Sequence, residues 1–452
     1  MTNRACLLIF TLLLLGSTTN AFAQQPVSSA VETLTLEQAI NLALNDNRQL
    51  KNSDIEVKKY GDRIAATRTL KLPSFKVDVQ ASQLLTPLNF TFDKGTFGTF
   101  EATGPIPNED TTISTARKPT LIVIGQVTQP LSQLYRINLN LKQLNVGREI
   151  AEQQSRAQKQ TIVNQVKRAY YAVLQTQSAL LAIEESLKLY EELERVTTDY
   201  VAQQVALKSE NLDVKTRYAK AEYDALNLRN TLATQKEQLN HLMGRDIRAE
   251  FTLNAVPEAT SFENNLAAAR TRAIEQRPEV QEGRLKIKQA ELDRRIKKSE
   301  FIPDVGLGLT YISPLNLNSI VPKTIATFGV TFSWEIFDWG KKRRELDEKS
   351  RIIEQATNGL ADVESQVLMD VNNRHRQLQQ TRQSLRIALL SQDTAREQLR
   401  VVSHKYRVQM ALLKDVLEVQ TRLADANNQY QQALLAYWSA KADFEKAIGE
   451  DK

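Results

Sequence analysis

VALKSENLDVKTRYAKA, residues 205 to 221, returns as MALLKDVLEVQTRLADA, residues 410 to 426, with no insertion between the copies. At a constant shift of 205 residues, Ala206, Leu207, Leu212, Val214, Thr216, Arg217, Ala219 and Ala221 recur as Ala411, Leu412, Leu417, Val419, Thr421, Arg422, Ala424 and Ala426. A match this dense at a fixed shift marks an internal duplication. Gly244 and Gly449 obey the same shift and sit where C-cap glycines belong.

Working outward from the repeated stretch, the prolines set the frame. All twelve fall at or before Pro130 or between Pro257 and Pro322, and residues 131 to 243 contain a single glycine, Gly147. Stretches so free of breakers read as very long helices, over 134 to 204 and 338 to 405. Each would be about 105 Å long at 1.5 Å per residue, longer than a compact globule accommodates. Apolar residues return at three and four, as at Val163, Val166, Tyr170, Val173 and Leu174, which suits coiled-coil packing.

Upstream, the period through Leu36, Ala39, Ile40, Ala43, Leu44 and Leu50 predicts one helix from Thr35 that Pro73 stops. It recurs at a shift of 230, where Ala43, Leu44, Leu50, Val57, Leu72 and Pro73 become Ala273, Ile274, Val280, Ile287, Ile302 and Pro303. After each proline the pattern turns to alternation. Phe75, Val77, Val79 and Ala81 alternate with polar residues, as Val305, Leu307, Leu309 and Tyr311 do with Gly306, Gly308 and Thr310. A second strand follows in each half, over 121 to 131 and, more cleanly, over 326 to 336. Eleven alternating residues match the length of a tilted transmembrane strand. The connections differ: 86 to 118 is a long Thr/Gly/Pro/Asn-rich segment, and 313 to 323 is short. Phe75, Tyr135, Phe301 and Trp339 cluster where strands meet helices, a placement that both a membrane-interface belt and core packing produce.

The N-terminal 23 residues read as an export signal, with Arg4, an apolar run from Ala5 to Leu15 and an Ala21-Phe22-Ala23 cleavage site. Cleavage would remove Cys6, the only cysteine, and take the formal charge from +6 to +5. A mature chain without thiols has no disulfide, no cysteine metal site and no cysteine for an N-terminal lipid. Charges of both signs are interspersed, which is a solvated surface rather than a nucleic-acid footprint. Enzyme chemistry finds little support. Gly340-Lys341 has Glu335 where a phosphate loop needs its first glycine and Lys342 where it needs a hydroxyl, and His241, His375 and His404 lack metal-ligand spacing. No cofactor is expected.

Four strands cannot close a barrel, and open sheet edges are not tolerated in a bilayer, so membrane-spanning strands require several chains. Three chains would supply twelve. Taken as an ordered set, the duplicated halves, helix-proline-strand junctions, two strand pairs and two long helices resemble the TolC-type outer-membrane factors over nearly all of residues 34 to 449. These are the exit ducts of tripartite efflux pumps and type I secretion systems. The resemblance implies an α+β membrane protein: a homotrimer with a twelve-stranded β-barrel, four strands per chain, in outer-membrane lipid, continued by a long periplasmic α-helical barrel. It also implies a first repeat at 34–245, an equatorial linker at 246–265 and a second repeat at 266–449. The expected partners are a periplasmic adaptor and, through it, an inner-membrane transporter.

By the same resemblance, Val205, Ala206, Leu207 and Met410, Ala411, Leu412 stand at the hairpin tips that contact the adaptor, with Ala where the family often has Gly. Tyr406 would be a gate tyrosine, and Asp415 and Glu418 would stand in for acidic residues facing the channel. Asp213 takes the Glu418 position in the first half, and Tyr200 completes the expected gate. Asp415 and Glu418 are three apart on one helical face, so three chains would bring acidic rings that favour cations. The leading expectation is a passive duct for small molecules; a secretion duct and a periplasmic coiled-coil scaffold are the alternatives.

Overall fold

The computed structural model describes residues 32–451 except 84, 88, 115–118, 255–264, 316–322 and 409. The expected export signal at 1–23 and residues 255–264 of the expected linker lie outside the described residues. In chain order the elements are β1 Glu32–Leu34, α1 Leu36–Asp46, α2 Arg48–Thr69, β2 Ser74–Gln83, β3 Asn89–Phe92, β4 Thr99–Phe100, β5 Gly104–Pro105, β6 Thr111–Ser114 and β7 Pro119–Pro130. They continue as α3 Gln133–Ala202, α4 Lys208–Met243, β8 Phe251–Leu253, α5 Leu266–Gln276, α6 Pro278–Ser299, β9 Asp304–Leu315, β10 Ile325–Ser333, α7 Lys341–Arg407 and α8 Leu413–Ala447.

The two uninterrupted helices are present, with 70 residues in α3 and 67 in α7. The single helix expected from Thr35 is instead two, because Asn47 adopts extended backbone. Its side-chain oxygen accepts from the N–H groups of Gln49 and Leu50 at 2.9 and 3.3 Å, capping α2, while its amide donates to the Leu242 carbonyl at 2.8 Å. Arg277 makes the same break between α5 and α6, where Pro278 at the first helical position bars the preceding residue from helical backbone. Thus an 11-residue helix and a 22-residue helix precede each strand pair.

Four strands form an antiparallel sheet in the order β10-β9-β7-β2, leaving β10 and β2 as open edges. The register sorts the side chains into two faces. Phe75 lies opposite Val127, Val127 opposite Leu309, and Leu309 opposite Phe328, an apolar row across all four strands. One residue along, the row is Lys76, Gln126, Thr310 and Thr327. No helix covers the apolar face of the edge strands: Phe75 is 79% and Phe328 74% exposed. The alternation expected to reach Ile336 stops as strand at Ser333, because its partner is Asp304 and the residue before that is Pro303, which has no N–H to offer. Within the long 86–118 connection, β3 pairs with β6 and β4 with β5.

The main core sits midway along the helices. There α1, α5 and the short parallel pair β1–β8 gather against α3, α4, α7 and α8 around Tyr170, Met243, Phe251 and Phe444, each at most 1% exposed. Tyr170 spans the junction, its hydroxyl donating to the Asn254 carbonyl at 2.8 Å with the Leu34 carbonyl 3.1 Å away. A second, smaller core lies at the far end of the helical hairpins. Among the described residues no helix is long and apolar enough to cross a membrane.

Candidate gate and hairpin tips

Each long helix folds back at its end into a shorter partner, α3 into α4 and α7 into α8. The first tip turns without glycine: Gln204 takes the positive φ of 60°, and the N–H groups of Val205 and Ala206 both reach the Tyr200 carbonyl, at 2.9 and 3.2 Å. In the second tip the Met410 N–H bonds the Lys405 carbonyl at 2.8 Å. Leu207 and Leu412 are the N-caps of α4 and α8, positions where neither side chain can satisfy a backbone donor. In the second tip Asp415 supplies the reciprocal half of a capping box, its carboxylate accepting the Leu412 N–H at 3.0 Å. Val205, Leu207, Met410 and Leu412 are all at least 65% exposed, while Ala206 and Ala411 are half-buried.

Above the tips, Tyr200, Asp213, Tyr406 and Glu418 line one open groove of about 860 Å³, together with Val205, Ala206, Ala411 and Leu412. Asp415 is not among its walls, since it is engaged in capping. Tyr406 is buried and meets Tyr200 edge to face, with ring centroids 6.2 Å apart. Burial, with smaller contributions from Tyr200 and Glu210, pushes the Tyr406 phenol up to about 12.

Two residues of this groove were in the duplicated stretch yet not expected in the site. Arg217 lies 3.5 Å from Asp213, and Arg422 lies 2.6 Å from Glu418. Both are i,i+4 pairs on exposed helix faces, so two of the expected gate acids, Asp213 and Glu418, each have a counter-charge one turn along. Arg217 also reaches the other hairpin, donating to the Thr421 hydroxyl at 3.2 Å. The signal was legible, because acid-x-x-x-Arg recurs at the same 205-residue shift. Gln420 adds a second tie between hairpins, donating to the Ser186 hydroxyl at 3.0 Å.

Among the described residues no group of three or more His, Cys, Asp or Glu side chains could hold a metal ion. His375 is buried against the Phe444 ring, centroids 5.8 Å apart, while His241 and His404 are exposed. The aromatic residues at the strand-helix junctions all face solvent, from 47% exposed at Phe301 to 90% at Trp339.

The family profile described as outer membrane efflux protein matches residues 39–245 and 269–450, in both halves of the chain. The chain belongs to this family. Outer membrane efflux proteins are channels of the outer membrane rather than enzymes. Among solved structures, the chain resembles the CmeC outer membrane channel of Campylobacter jejuni, with TM-score 0.73, 14% identity and coverage of 92% of this chain and 85% of that one. VceC of Vibrio cholerae matches with TM-score 0.70 and 14% identity, over 92% and 96% of the two chains. The MtrE outer membrane channel of Neisseria gonorrhoeae matches with TM-score 0.69 and 16% identity, over 92% and 89%. No curated protein sequence matches the chain.

Proposed function

We propose that three copies of this chain pool their sheets into a twelve-stranded barrel and form the passive outer-membrane exit duct of a tripartite efflux pump. The observation that carries this reading is the four-stranded sheet: two open edges, one polar face and one apolar face left uncovered by the protein. In water such a sheet exposes apolar side chains and unpaired backbone groups; in a bilayer, β2 of one copy pairing β10 of the next removes the edges and lipid covers the apolar face. The two halves act as structural repeats, 34–245 and 266–449, joined by the equatorial stretch at 246–265. Their long helices continue the barrel about 100 Å into the periplasm. The apolar tip residues Val205, Leu207, Met410 and Leu412 dock a periplasmic adaptor, which links the duct to an inner-membrane transporter that supplies the energy. Tyr200, Tyr406, Asp213 and Glu418 form the constriction. Because Arg217 and Arg422 accompany the acids, the ring carries mixed charge and selects cations only weakly until those pairs open.

The test is mass and conductance on protein extracted from outer-membrane fractions in mild detergent. A trimer that inserts into planar bilayers and conducts ions supports the duct. A monomer soluble without detergent overturns it.

A further inference from the structure

A second groove, of about 470 Å³, lies between α2 and α3 immediately below the sheet. Arg68, Lys71 and Lys142 line it with Tyr135 and Asn138, over an apolar floor that includes Ile64 and Leu141, and no carboxylate is present. Among the described residues none of the three cations has an ion-pair partner. Further around the wall, by contrast, Lys288 pairs with Glu149 and Lys297 with Glu345 on neighbouring helices.

Position says what faces these charges. Lys71 stands three residues before β2, and Tyr135 stands five residues after the end of β7. Both therefore lie within the headgroup layer, about 5–7 Å thick, if the sheet spans the hydrocarbon. Lys142 starts about 10 Å further along α3 and can extend its stem back toward the same level.

The groove also opens on the lipid side of the wall. Arg136 bonds Asp304 at 3.1 Å, and Asp304 pairs with Ser333 on the polar face of the sheet. At about 100° per residue, Lys142 and Asn145 lie about 240° and 180° around α3 from Arg136. They also border the neighbouring groove between α3 and α6, so they form the crest of α3 on the surface opposite Arg136. That surface continues the apolar face, and Leu72 and Phe75, 62% and 79% exposed, stand directly above the groove.

Resting on the trimeric channel reading, we infer that this groove binds the headgroup of an anionic glycerophospholipid of the periplasmic leaflet. Arg68 and Lys71 take the phosphodiester oxygens, Lys142 approaches from below, and Tyr135 and Asn138 offer hydrogen bonds to the glycerol. Acyl chains rise along Leu72 and Phe75. A zwitterionic headgroup would leave its ammonium facing three cations without a carboxylate, which disfavours it. One lipid per protomer would fix the depth at which the barrel sits.

The experiment is native mass spectrometry of the purified trimer with added phosphatidylglycerol or phosphatidylcholine. The expected result is retention of up to one phosphatidylglycerol per protomer and little phosphatidylcholine. The triple variant Arg68→Gln, Lys71→Gln, Lys142→Gln should weaken retention by roughly 100-fold, on a scale of several-fold per cation near an anionic surface. A control with the same charge change elsewhere, Lys58→Gln, Lys188→Gln and Lys220→Gln, should retain the lipid. Equal retention of the two lipids, or equal loss in both variants, overturns the site. Displacement of phosphatidylglycerol by inorganic phosphate at matching concentration would assign the groove to soluble anions instead, and also overturns it. The oligomer mass is read before lipid is added, so a chain that is not a membrane trimer exposes failure of the channel reading separately.

Discussion

The main core midway along the helices, called the equator below, and the tips of the helical hairpins are built from the same duplicated helices but held by opposite means. At the equator, apolar side chains are buried outright and polar groups are tied across helices, Lys167 to Glu445, Asn164 to Asp443 at 2.9 Å, Arg374 to Asp443 at 2.8 Å and Arg277 to Asp370 at 2.9 Å, while Arg277 also pairs with Glu279 in the first turn of its own helix at 3.0 Å. At the tips, leucine and methionine side chains stand in water and the ion pairs lie on exposed helix faces. The Lys167–Glu445 pair, 10% and 19% exposed, is costly to break, and exposed pairs are not. The difference therefore separates a fixed collar from an end that can rearrange without unfolding the chain.

The hardest blow to that contrast falls on Tyr170. Tyr170→Ala should remove a wholly buried ring and the donor that ties α3 to β1 and the segment after β8, costing about 3–5 kcal/mol. The measurement is the denaturation midpoint of the purified protein, and a shift no larger than that of the tip variants below would erase the distinction.

Glycines sharpen it next. Gly244 closes α4 at φ +74°, and a Cβ there would lie 2.3 Å from the Asp46 carbonyl oxygen. Gly244→Ala should cost about 2–4 kcal/mol, from the left-handed backbone and the forced displacement of α1. Gly61, in α2, has open space around it. Gly61→Ala should stabilise by about 0.5–1 kcal/mol, by helix propensity alone. Opposite signs from one substitution type test the packing directly.

The two regions should also respond to opposite ends of the pH scale. At the equator, burial acts to raise the Glu279 pKa, but the hydrogen bond and charge of Arg277 outweigh it and hold the carboxyl below its ordinary range. A depressed carboxylate stabilises the fold above its unfolded pKa, and that support is lost as pH falls through the folded value. Tyr406 is the reverse case. Its raised phenol favours the folded tip below the ordinary value of 10, and that support is lost as pH rises toward about 12. Tyrosinate absorbance should show a late step that Tyr406→Phe removes, while acid melting should shift with Glu279→Gln and not with the tyrosine change.

How much of this contrast the sequence carries depends on the length of the signal. The long helices, the proline junctions and the paired strands rest on patterns many residues long, so they could be read directly. The break at Asn47 could not, because the apolar period runs on from Leu44 to Leu50 across it. Nor could the end of β10, whose alternation continues to Ile336 after its partner has run out at Pro303. The pair β1–β8 joins three-residue strands more than two hundred residues apart, too short for any period to show. Within the candidate gate, resemblance named Tyr200, Tyr406, Asp213 and Glu418, which line one groove, but it also named Asp415, which caps α8 instead, and it missed Arg217 and Arg422 as partners. The groove beneath the sheet draws on residues of α2 and α3 that only the packed helices bring together.

The smallest change in stability should give the largest change in channel behaviour. Arg217→Ala removes an exposed pair with Asp213 and the bond to Thr421 between the two hairpins. Each such interaction contributes roughly 0.2–1 kcal/mol, so the melting midpoint should scarcely move. In the proposed trimeric duct, closure would require the same contact in all three protomers at once. If the three act in concert, about 0.5–1 kcal/mol per protomer sums to about 1.5–3 kcal/mol, which shifts the closed-to-open ratio by roughly 10- to 150-fold. Single-channel recording in planar bilayers reads that ratio directly. A variant that melts like the parent and stays open far longer would place the latch at the tips, whereas unchanged open time would mean that Arg217 merely decorates a solvated helix face.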